Sequence, residues 1–289
     1  MTREGQIIKC VAGVYDVLCG QDVFSLRAAG RFRGRGITPL VGDRVLFDDE
    51  GFLTQVVRRR NELTRPPLAN VDTLIITVAV HTPEPDRTLA DKLICFCRAR
   101  GITPLLCVNK CDLDPAQAQR ILREYEMCGI AAVRTSLRDD RSIEALRQAI
   151  PDGTACFCGQ SAVGKSSLTN ALLGKSRFQT GGLSKKTERG RHTTRHCELV
   201  RLSNTVLLAD TPGFSLLEMP LLSPEDFRDL YAEYAPFAPE CRFHGCFHDR
   251  EPGCAVKQAV DEGRLSAERY RRYTQLLQEV KEKWGMRYD

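Results

Sequence analysis

The sequence has one tryptophan, four methionines and no apolar run close to the ~20 residues of a membrane-spanning helix. It also lacks internal repeats and low-complexity tracts, so repeat architectures are excluded. The first ten residues, MTREGQIIKC, have no long apolar core followed by small residues, unlike a signal peptide. We therefore expect a cytoplasmic protein without membrane association.

Cysteine is abundant instead, with 13 among the 289 residues. The number is odd, and most cysteines lie in apolar strand-like runs such as LICFC and ACFCG. Reduced, buried cysteine packs as a small apolar side chain, and disulfides are rare in long cytosolic chains. A net charge of +5 allows nucleic-acid binding but does not require it.

Three stretches of the chain differ in pattern and predict three domains. Residues 1–68 carry short alternating or β-branched runs separated by Gly and Asp, which predicts an all-β OB-fold barrel. Residues 69–220 alternate strands and helices, so we expect an α/β core with a mostly parallel sheet. Residues 221–289 contain a cysteine cluster and a helical tail, and we expect a mostly helical zinc-binding domain there.

The segment GQSAVGKS fits the phosphate-loop pattern G-x-x-x-x-G-K-[ST] and stands between a strand-like and a helix-like run. Its glycines allow backbone N–H groups to surround phosphates at a helix N-terminus. We assign Lys165 to the terminal phosphates, as a catalytic residue, and Ser166 to Mg²⁺. The predicted nucleotide contacts are Gly159, Gln160, Ser161, Ala162, Val163, Gly164, Lys165, Ser166 and Ser167.

An acidic residue that completes a magnesium site is expected at the end of a second apolar strand. The run TVLLADTPG supplies Asp210 there, followed by Gly213, whose N–H would meet the γ-phosphate. The D-x-x-G spacing is common by chance, and it gains weight only from its position after a strand and the phosphate loop.

A base-recognition motif, NKCD, ends the apolar strand PLLCVN. The Asp112 carboxylate can accept hydrogen bonds from N1–H and the 2-amino group of guanine, a pattern that adenine does not offer. Asn109 and Lys110 belong to the same motif, and Thr135-Ser136 is the expected loop whose backbone touches the base. The motif predicts binding of GTP and GDP. An ATP-dependent enzyme acting on RNA is the alternative that Asp112 disfavours.

The order of the two motifs is reversed relative to an ordinary GTPase, in which the phosphate loop comes first. Because domain termini often lie close together, one loop can be cut and the old ends joined without disturbing the sheet. The sequence therefore predicts a circularly permuted domain in which the segment 210–213 leads into the cysteine cluster.

Three cysteines and two histidines lie within residues 241–254. Three Cys and one His form the closed tetrahedral set that structural zinc prefers, although free thiols in a loop are the alternative. We predict Cys241, Cys246, His248 and Cys254 as ligands of one structural Zn²⁺, with His244 as the competing fourth ligand.

Together, these motifs resemble the RsgA (YjeQ) family of circularly permuted GTPases over essentially the whole chain. The resemblance rests on PLVGDRV, RPPLANVD, NKCD, GQSAVGKSSL, GRHTT, DTPGF and the CRFHGC cluster, in this order. It implies a GTPase of late small-subunit maturation whose partners are the small ribosomal subunit and its rRNA. We expect a monomer that takes GTP or GDP, Mg²⁺ and one Zn²⁺, and that the subunit stimulates.

By position within this resemblance, RGRHTT corresponds to switch I. Thr193 or Thr194 would complete the Mg²⁺ shell, and the choice between them stays open. Phe214 stands where Ras-like enzymes carry a water-orienting Gln, so intrinsic hydrolysis should be slow. His192 is the candidate catalytic residue, and its alternative role is contact with RNA or solvent only. Ala162 stands where the family usually has Gly.

Arginines provide candidate RNA contacts that do not depend on the resemblance. The loop RAAGRFRGRG surrounds Phe32 with arginines, and Arg58, Arg59 and Arg60 form a second run. Arginine pairs with phosphate and an exposed Phe stacks on bases, although a solvated surface is the ordinary alternative. The basic tail helix is a further candidate. A non-catalytic RNA-binding protein, with nucleotide as a conformational ligand, is the second functional interpretation.

Overall fold

The computed structural model describes residues 2–29, 32, 37–174, 197–210 and 219–288. Within these residues the chain separates into two compact units. The first unit comprises Met1–Ile75, Ile150–Cys158 and Lys165–Ser215, and the second comprises Ile76–Ala149, Gly159–Gly164 and Leu216–Asp289. The domain boundaries after residues 68 and 220 stay a prediction.

The strands and helices of the described residues follow the predicted alternation. The strands are β1 (Arg3–Val11), β2 (Val14–Cys19), β3 (Asp22–Ala28), β4 (Arg44–Phe47), β5 (Phe52–Val56), β6 (Glu62–Leu63), β7 (Leu68–Ala69), β8 (Thr73–Ala79), β9 (Thr103–Asn109), β10 (Ala132–Arg134), β11 (Gly153–Cys158), β12 (Glu198–Arg201) and β13 (Val206–Asp210). The helices are α1 (Arg87–Ala99), α2 (Pro115–Glu126), α3 (Asp140–Ala149), α4 (Lys165–Leu173), α5 (Pro224–Asp229), α6 (Ala255–Asp261) and α7 (Ala267–Gly285).

The first five strands close into a barrel. Antiparallel pairs join β1 to β2, β2 to β3 and β4 to β5, while β3 and β5 are parallel. An antiparallel pairing of β1 with β4 closes the ring. This closed five-stranded order confirms the predicted OB-like barrel.

The barrel forms because alternate side chains are apolar and its hairpins are tight. Ile7, Val17 and Val45 are fully buried. Ala12 and Gly13, with φ of 50° and 78°, make the two-residue turn between β1 and β2. Phe32 is also buried, only 5% exposed, so the expectation of an exposed base-stacking ring is wrong. Burial of the apolar Phe32 ring in the core is favourable because it removes apolar surface from water.

Beyond the barrel, the sheet of the first unit carries the strands that flank the phosphate loop. β12 pairs antiparallel with both β1 and β13, and β13 runs parallel to β11. In the second unit β9 runs parallel to β10. The parallel pairs confirm the predicted α/β core, whereas the short antiparallel β12 was not anticipated.

The helices begin at recognisable caps. Asp86 accepts a hydrogen bond from the Leu89 N–H at 2.8 Å, and Asp114 accepts one from the Gln117 N–H at 2.9 Å. Such caps satisfy N–H groups that the helix itself leaves open. None of the helices in the described part of the chain is long and apolar enough to cross a membrane.

A buried ion-pair network joins α7 to α1 and α2 within the second unit. Arg269, 1% exposed, pairs with Asp91 and, at 2.6 Å, with Glu233. Arg272 pairs with Asp91 at 2.5 Å and with Glu124. Removal of one member of a buried pair strands a charge and costs about 3–5 kcal/mol. Both arginines therefore hold the helix in place, and neither is available to the basic surface considered for the tail helix.

Aromatic rings fill the space between α5 and α7. Phe227, Tyr231 and Tyr234 surround Tyr273, with ring centroids 4.7–6.0 Å from it. Tyr273 and Leu277 are fully buried, so α7 packs one apolar face against the rest of the second unit.

Candidate nucleotide and metal sites

The phosphate-loop segment has a backbone geometry that requires its glycines. Gly159 and Gly164 have φ of 122° and 102°. A Cβ on Gly159 would lie 2.4 Å from the Thr77 carbonyl oxygen, and one on Gly164 would lie 2.4 Å from Asn109 Nδ2. No side chain fits at either position, so both glycines follow from close packing as well as from positive φ.

Ala162 adopts the left-handed region with a φ of 63°. A Cβ in this region costs roughly 1–2 kcal/mol, which glycine avoids. The Ala162 carbonyl accepts a hydrogen bond from Lys110 Nζ at 2.9 Å. Lys110 also donates to the Thr82 carbonyl, so its side chain spans two loops of the second unit.

Asn109 connects the base-recognition motif to the phosphate loop. Its Nδ2 donates to the Val163 carbonyl at 2.8 Å, and its Oδ1 accepts from Thr135 Oγ1 at 3.0 Å. The side chain is 1% exposed, so these bonds replace those it would make with water. The structure thus brings Asn109 and Lys110 onto the phosphate loop itself.

The Asp112 carboxylate is held in place by two neighbouring side chains. Ser136 Oγ donates to Asp112 Oδ1 at 2.7 Å, and Arg138 Nε lies 3.5 Å from Oδ2. The hydrogen bond from Ser136 lowers the pKa of Asp112. An ionised carboxylate is purely an acceptor, as the two donors on the guanine edge require.

The N–H groups of the Thr135-Ser136 loop are already used within the protein. Thr135 N donates to the Val108 carbonyl at 2.7 Å, and Ser136 N donates to Ser142 Oγ at 2.9 Å. Sequence analysis missed Ser142, because a lone serine six residues beyond the predicted loop carries no pattern. Among the hydrogen bonds between described residues, the Leu137 N–H donates in none, so it is the next donor available to a base.

Lys165 and Asp210 lie at the same edge of the first unit's sheet. β11 and β13 are parallel, with Cys156 opposite Ala209, so Asp210 ends β13 beside the end of β11. Burial lowers the pKa of Lys165, which begins α4. Asp210 Oδ1 is buried, and a carboxylate together with the Ser166 hydroxyl fits the oxygen preference of Mg²⁺.

The remaining predicted site residues belong to the two switch segments. His192, Thr193, Thr194 and Gly213 lie outside the described residues, as does Phe214. Their predicted roles stay predictions.

The cysteine cluster converges on one point. The ligand atoms of Cys241, Cys246, His248 and Cys254 all lie within 4.8 Å of one another. Cys241 Sγ lies 3.9 Å from Cys254 Sγ, and His248 Nδ1 lies 3.6 Å and 3.4 Å from these two sulfurs. A tetrahedral zinc ion requires ligand separations of about 3.5–3.8 Å. The residues therefore fit one Zn²⁺, and His248 belongs to the set whereas His244 is exposed.

Hydrogen bonds around the cluster hold its loop in place. Tyr270 donates its O–H to the His248 carbonyl at 2.7 Å. The Glu251 carboxylate accepts from the N–H groups of Phe247 and Asp249 at 2.8 and 2.9 Å. Such outer contacts orient the ligands of a metal site, and the sequence pattern did not identify them.

Family comparisons agree with this geometry. The RsgA GTPase family model matches residues 56–220, and the RsgA N-terminal domain model matches residues 4–52. This chain belongs to the RsgA GTPase family. It is accordingly a GTP hydrolase, and the reversed order of its motifs is the family's circular permutation.

Individual relatives of the RsgA family match over nearly the full length. The small ribosomal subunit biogenesis GTPase RsgA of Caldanaerobacter subterraneus subsp. tengcongensis is 40% identical, with 99% of this chain and 98% of that protein covered. The protein of the same name from Bacillus velezensis is 39% identical, with coverages of 97% and 98%.

Two solved structures are similar to this RsgA-family chain. YloQ, a circularly permuted GTPase, has a TM-score of 0.81 and 33% identity, and the match covers 98% of this chain and 96% of YloQ. YjeQ from Thermotoga maritima has a TM-score of 0.79 and 31% identity, with coverages of 97% and 99%.

Proposed function

We propose that this chain hydrolyses GTP on the small ribosomal subunit, and that contact with the subunit and its rRNA stimulates hydrolysis during late maturation. The observation that carries the proposal is the set of near full-length relatives named as small ribosomal subunit biogenesis GTPases. Because bacterial ribosomes assemble in the cytoplasm, we expect the chain to act there, as a monomer.

In this proposal the second unit supplies base recognition. Asp112 accepts the N1–H and 2-amino protons of guanine, and the Leu137 N–H meets the oxygen at position 6. Asn109 and Lys110 hold the phosphate loop next to the base-recognition motif through their hydrogen bonds to its carbonyl groups. A base that lacks either guanine donor would leave the Asp112 carboxylate partly unsatisfied, which is how selectivity arises.

A second group of residues would meet the charge on the phosphates. Lys165 would place its ammonium group against the terminal phosphates, and Ser166 and Asp210, together with Thr193 or Thr194, would hold Mg²⁺. Mg²⁺ would supply neutralisation of the charge that develops between the β- and γ-phosphates. The Gly213 N–H meets the γ-phosphate, and His192 orients the attacking water in place of the glutamine that Phe214 replaces.

The Cys₃His set takes one Zn²⁺ with a structural role, because four protein ligands leave no position open for a substrate. Its part in the function is to maintain the C-terminal fold as a surface for the subunit.

Arg31, Arg33 and Arg35 of the predicted RNA-binding loop lie outside the described residues, so the structure bears only on the other arginines of the barrel. Arg59 pairs with the buried Asp43 through hydrogen bonds of 2.7 and 2.8 Å, so it is a structural residue. Arg27 and Arg58 are exposed and remain candidates for phosphate contact. Binding through such contacts should weaken steeply with salt, because counterions are released on binding.

The test is the rate of GTP hydrolysis by purified protein with and without small ribosomal subunits at low salt. Lys165→Ala serves as the blank. We expect a large rise with subunits that the blank lacks. Unchanged turnover, with GTP and subunit binding both demonstrated, would reject subunit stimulation and leave the nucleotide as a conformational ligand.

A further inference from the structure

Strand β12 connects the barrel to the strand that carries Asp210. Lys9 of β1 lies directly opposite Glu198 of β12, and Glu198 lies directly opposite Asp210 of β13, both in antiparallel pairs. Directly opposite residues of antiparallel strands direct their side chains to the same face of the sheet. Lys9, Glu198 and Asp210 therefore form one row of charged side chains across three strands of the first unit.

A β-bulge allows β1 to pair with β4 in the barrel and to place Lys9 opposite β12 in this row. Residues Arg3 to Gln6 pair with β4 and close the barrel. The register between β1 and β2 then shifts between Ile7 and Lys9. A bulge bends its strand and re-aims the following side chains, so Lys9 is turned from the barrel closure toward β12.

The charges in this row compensate one another in part. Two carboxylates directly opposite each other, as in Glu198 and Asp210, repel. Lys9 Nζ lies 3.3 Å from Glu198 Oε2, and the two side chains are 38% and 33% exposed. Lys9 thus neutralises the carboxylate that is the immediate cross-strand neighbour of Asp210.

We propose that Lys9 and Glu198 are positioning residues that set the Mg²⁺ affinity of the site to which Asp210 belongs. The proposal rests on the function proposed above, in which Asp210 helps to hold the ion. Neighbouring strands lie about 4.8 Å apart, so both charges sit within roughly 10 Å of Asp210. That distance is about one Debye length at 0.1 M salt, so a unit charge there still acts on a divalent cation.

The sign of each substitution follows from charge alone. Lys9→Met leaves Glu198 uncompensated, which adds negative charge near the ion and should tighten Mg²⁺ binding about twofold to threefold. Glu198→Gln leaves Lys9 uncompensated and should weaken Mg²⁺ binding by a similar factor. The double variant should return close to the wild-type affinity, because both charges are gone.

The experiment measures the affinity of a fluorescent, non-hydrolysable GTP analogue as Mg²⁺ is titrated at low ionic strength. Arg44→Met is the matched control. Arg44 pairs with Glu4 at 3.3 Å and also belongs to the barrel, but the pair lies outside the row. The expected result is a lower Mg²⁺ midpoint for Lys9→Met, a higher one for Glu198→Gln, and wild-type midpoints for the double variant and the control.

Equal midpoints in all variants, or weaker Mg²⁺ binding in both single variants, would overturn the proposal. The second pattern is what a merely structural role predicts, since loss of either partner would then disturb the strand. Asp210→Asn must itself abolish most of the Mg²⁺ dependence, and if it does not, the role of Asp210 has failed and the inference with it. No subunits are present, so a failure of subunit stimulation is measured separately.

Discussion

The corner formed by Asn109, Asp112, Thr135 and Ser136, for which we propose guanine binding, and the cysteine cluster hold their geometry in different ways. In the corner, Asn109 and Asp112 are oriented by hydrogen bonds to Val163, Thr135 and Ser136, all supplied by the protein. The cluster instead brings three sulfurs and an imidazole nitrogen to one point, where a cation would join them. A site built in advance can lose its ligand and keep its fold, whereas a metal-joined site cannot.

The largest effect should come from breaking the cluster. Burial raises the pKa of Cys246 to about 12, so its thiol becomes a thiolate ligand only beside a cation. Structural zinc contributes on the order of 10 kcal/mol to small metal-dependent folds, so Cys246→Ser should lose the ion and unfold the C-terminal region. The measurements are zinc content and thermal unfolding.

Cys128→Ser is the matched control for this prediction. Cys128 is equally buried but donates to the Glu124 carbonyl at 3.2 Å, which a serine hydroxyl can also do. It should keep one zinc ion and a near wild-type melting temperature. A Cys246→Ser protein with full zinc content would contradict the assignment of the ligands.

A smaller but specific effect is expected at the corner. Asp112→Asn replaces an acceptor by a group that also donates, so two charge-assisted hydrogen bonds to guanine are lost. Each is worth about 1.5–3 kcal/mol, so the loss of both predicts a fall in GTP affinity of roughly 10²–10⁴-fold. Thermal stability should change little, because the corner is held by Asn109 and Ser136.

The measurement compares GTP, ATP and xanthosine triphosphate binding to this variant. Xanthosine carries an oxygen where guanosine has the 2-amino group, so the asparagine amide should favour it. Retained preference for GTP over ATP and xanthosine triphosphate would show that Asp112 does not read the base.

Ser136→Ala tests whether the Ser136 hydroxyl sets the pKa of the Asp112 carboxyl group. The hydrogen bond from Ser136 holds the pKa of Asp112 below its ordinary value of 3.8. A depressed carboxyl pKa means that the charged acceptor persists to lower pH and is lost only as pH falls through the depressed value. Without the hydroxyl, the pKa of Asp112 should rise toward 3.8. At neutral pH the carboxylate stays ionised in both proteins, and GTP affinity should fall about fivefold because the hydrogen bond that orients the carboxylate is lost.

A titration followed by NMR of the carboxyl carbons checks this prediction. Asp114 is an internal control, since its pKa is lowered mainly by the Gln117 N–H and should not move. An Asp112 titration curve that is identical in both proteins would remove Ser136 from the recognition mechanism.

The smallest effect concerns backbone strain in the phosphate loop. Ala162→Gly removes a Cβ from a residue with φ of 63°, and should stabilise the folded state by about 0.5–1 kcal/mol after the entropy of the added glycine is subtracted. Chemical denaturation measures the change. Ala132→Gly, within strand β10, should destabilise instead, and a loss of stability in both variants would show that Ala162 is not strained.

Much of the nucleotide site was predictable because its chemistry depends on short spacing. The phosphate loop and NKCD each place several functional groups within a few residues at a strand end, and local pattern is enough to recognise them. The cysteine cluster followed for the same reason. Ser142 and Glu251 were missed because a single polar residue acquires its role only from what packs against it.

Arginine roles were the least predictable. Arg269 and Asp91 are 178 positions apart, and Arg59 and Asp43 are 16 apart. The sequence shows that an arginine is charged, but it does not show whether a carboxylate from a distant segment pairs with that arginine in the folded chain. Phe32 was equally hard to predict, since an aromatic residue between arginines can lie on an RNA-stacking surface or in a barrel core.

The sequence by itself determined the motifs, their permuted order, the presence of the cysteine cluster and the alternation of strands and helices, because each depends on neighbours in the chain. Tertiary structure alone decided which charges are buried, which N–H groups remain for the base, and that Lys9, Glu198 and Asp210 share one row. These depend on strand register and packing between distant segments, where one residue of slip would turn each side chain to the other face.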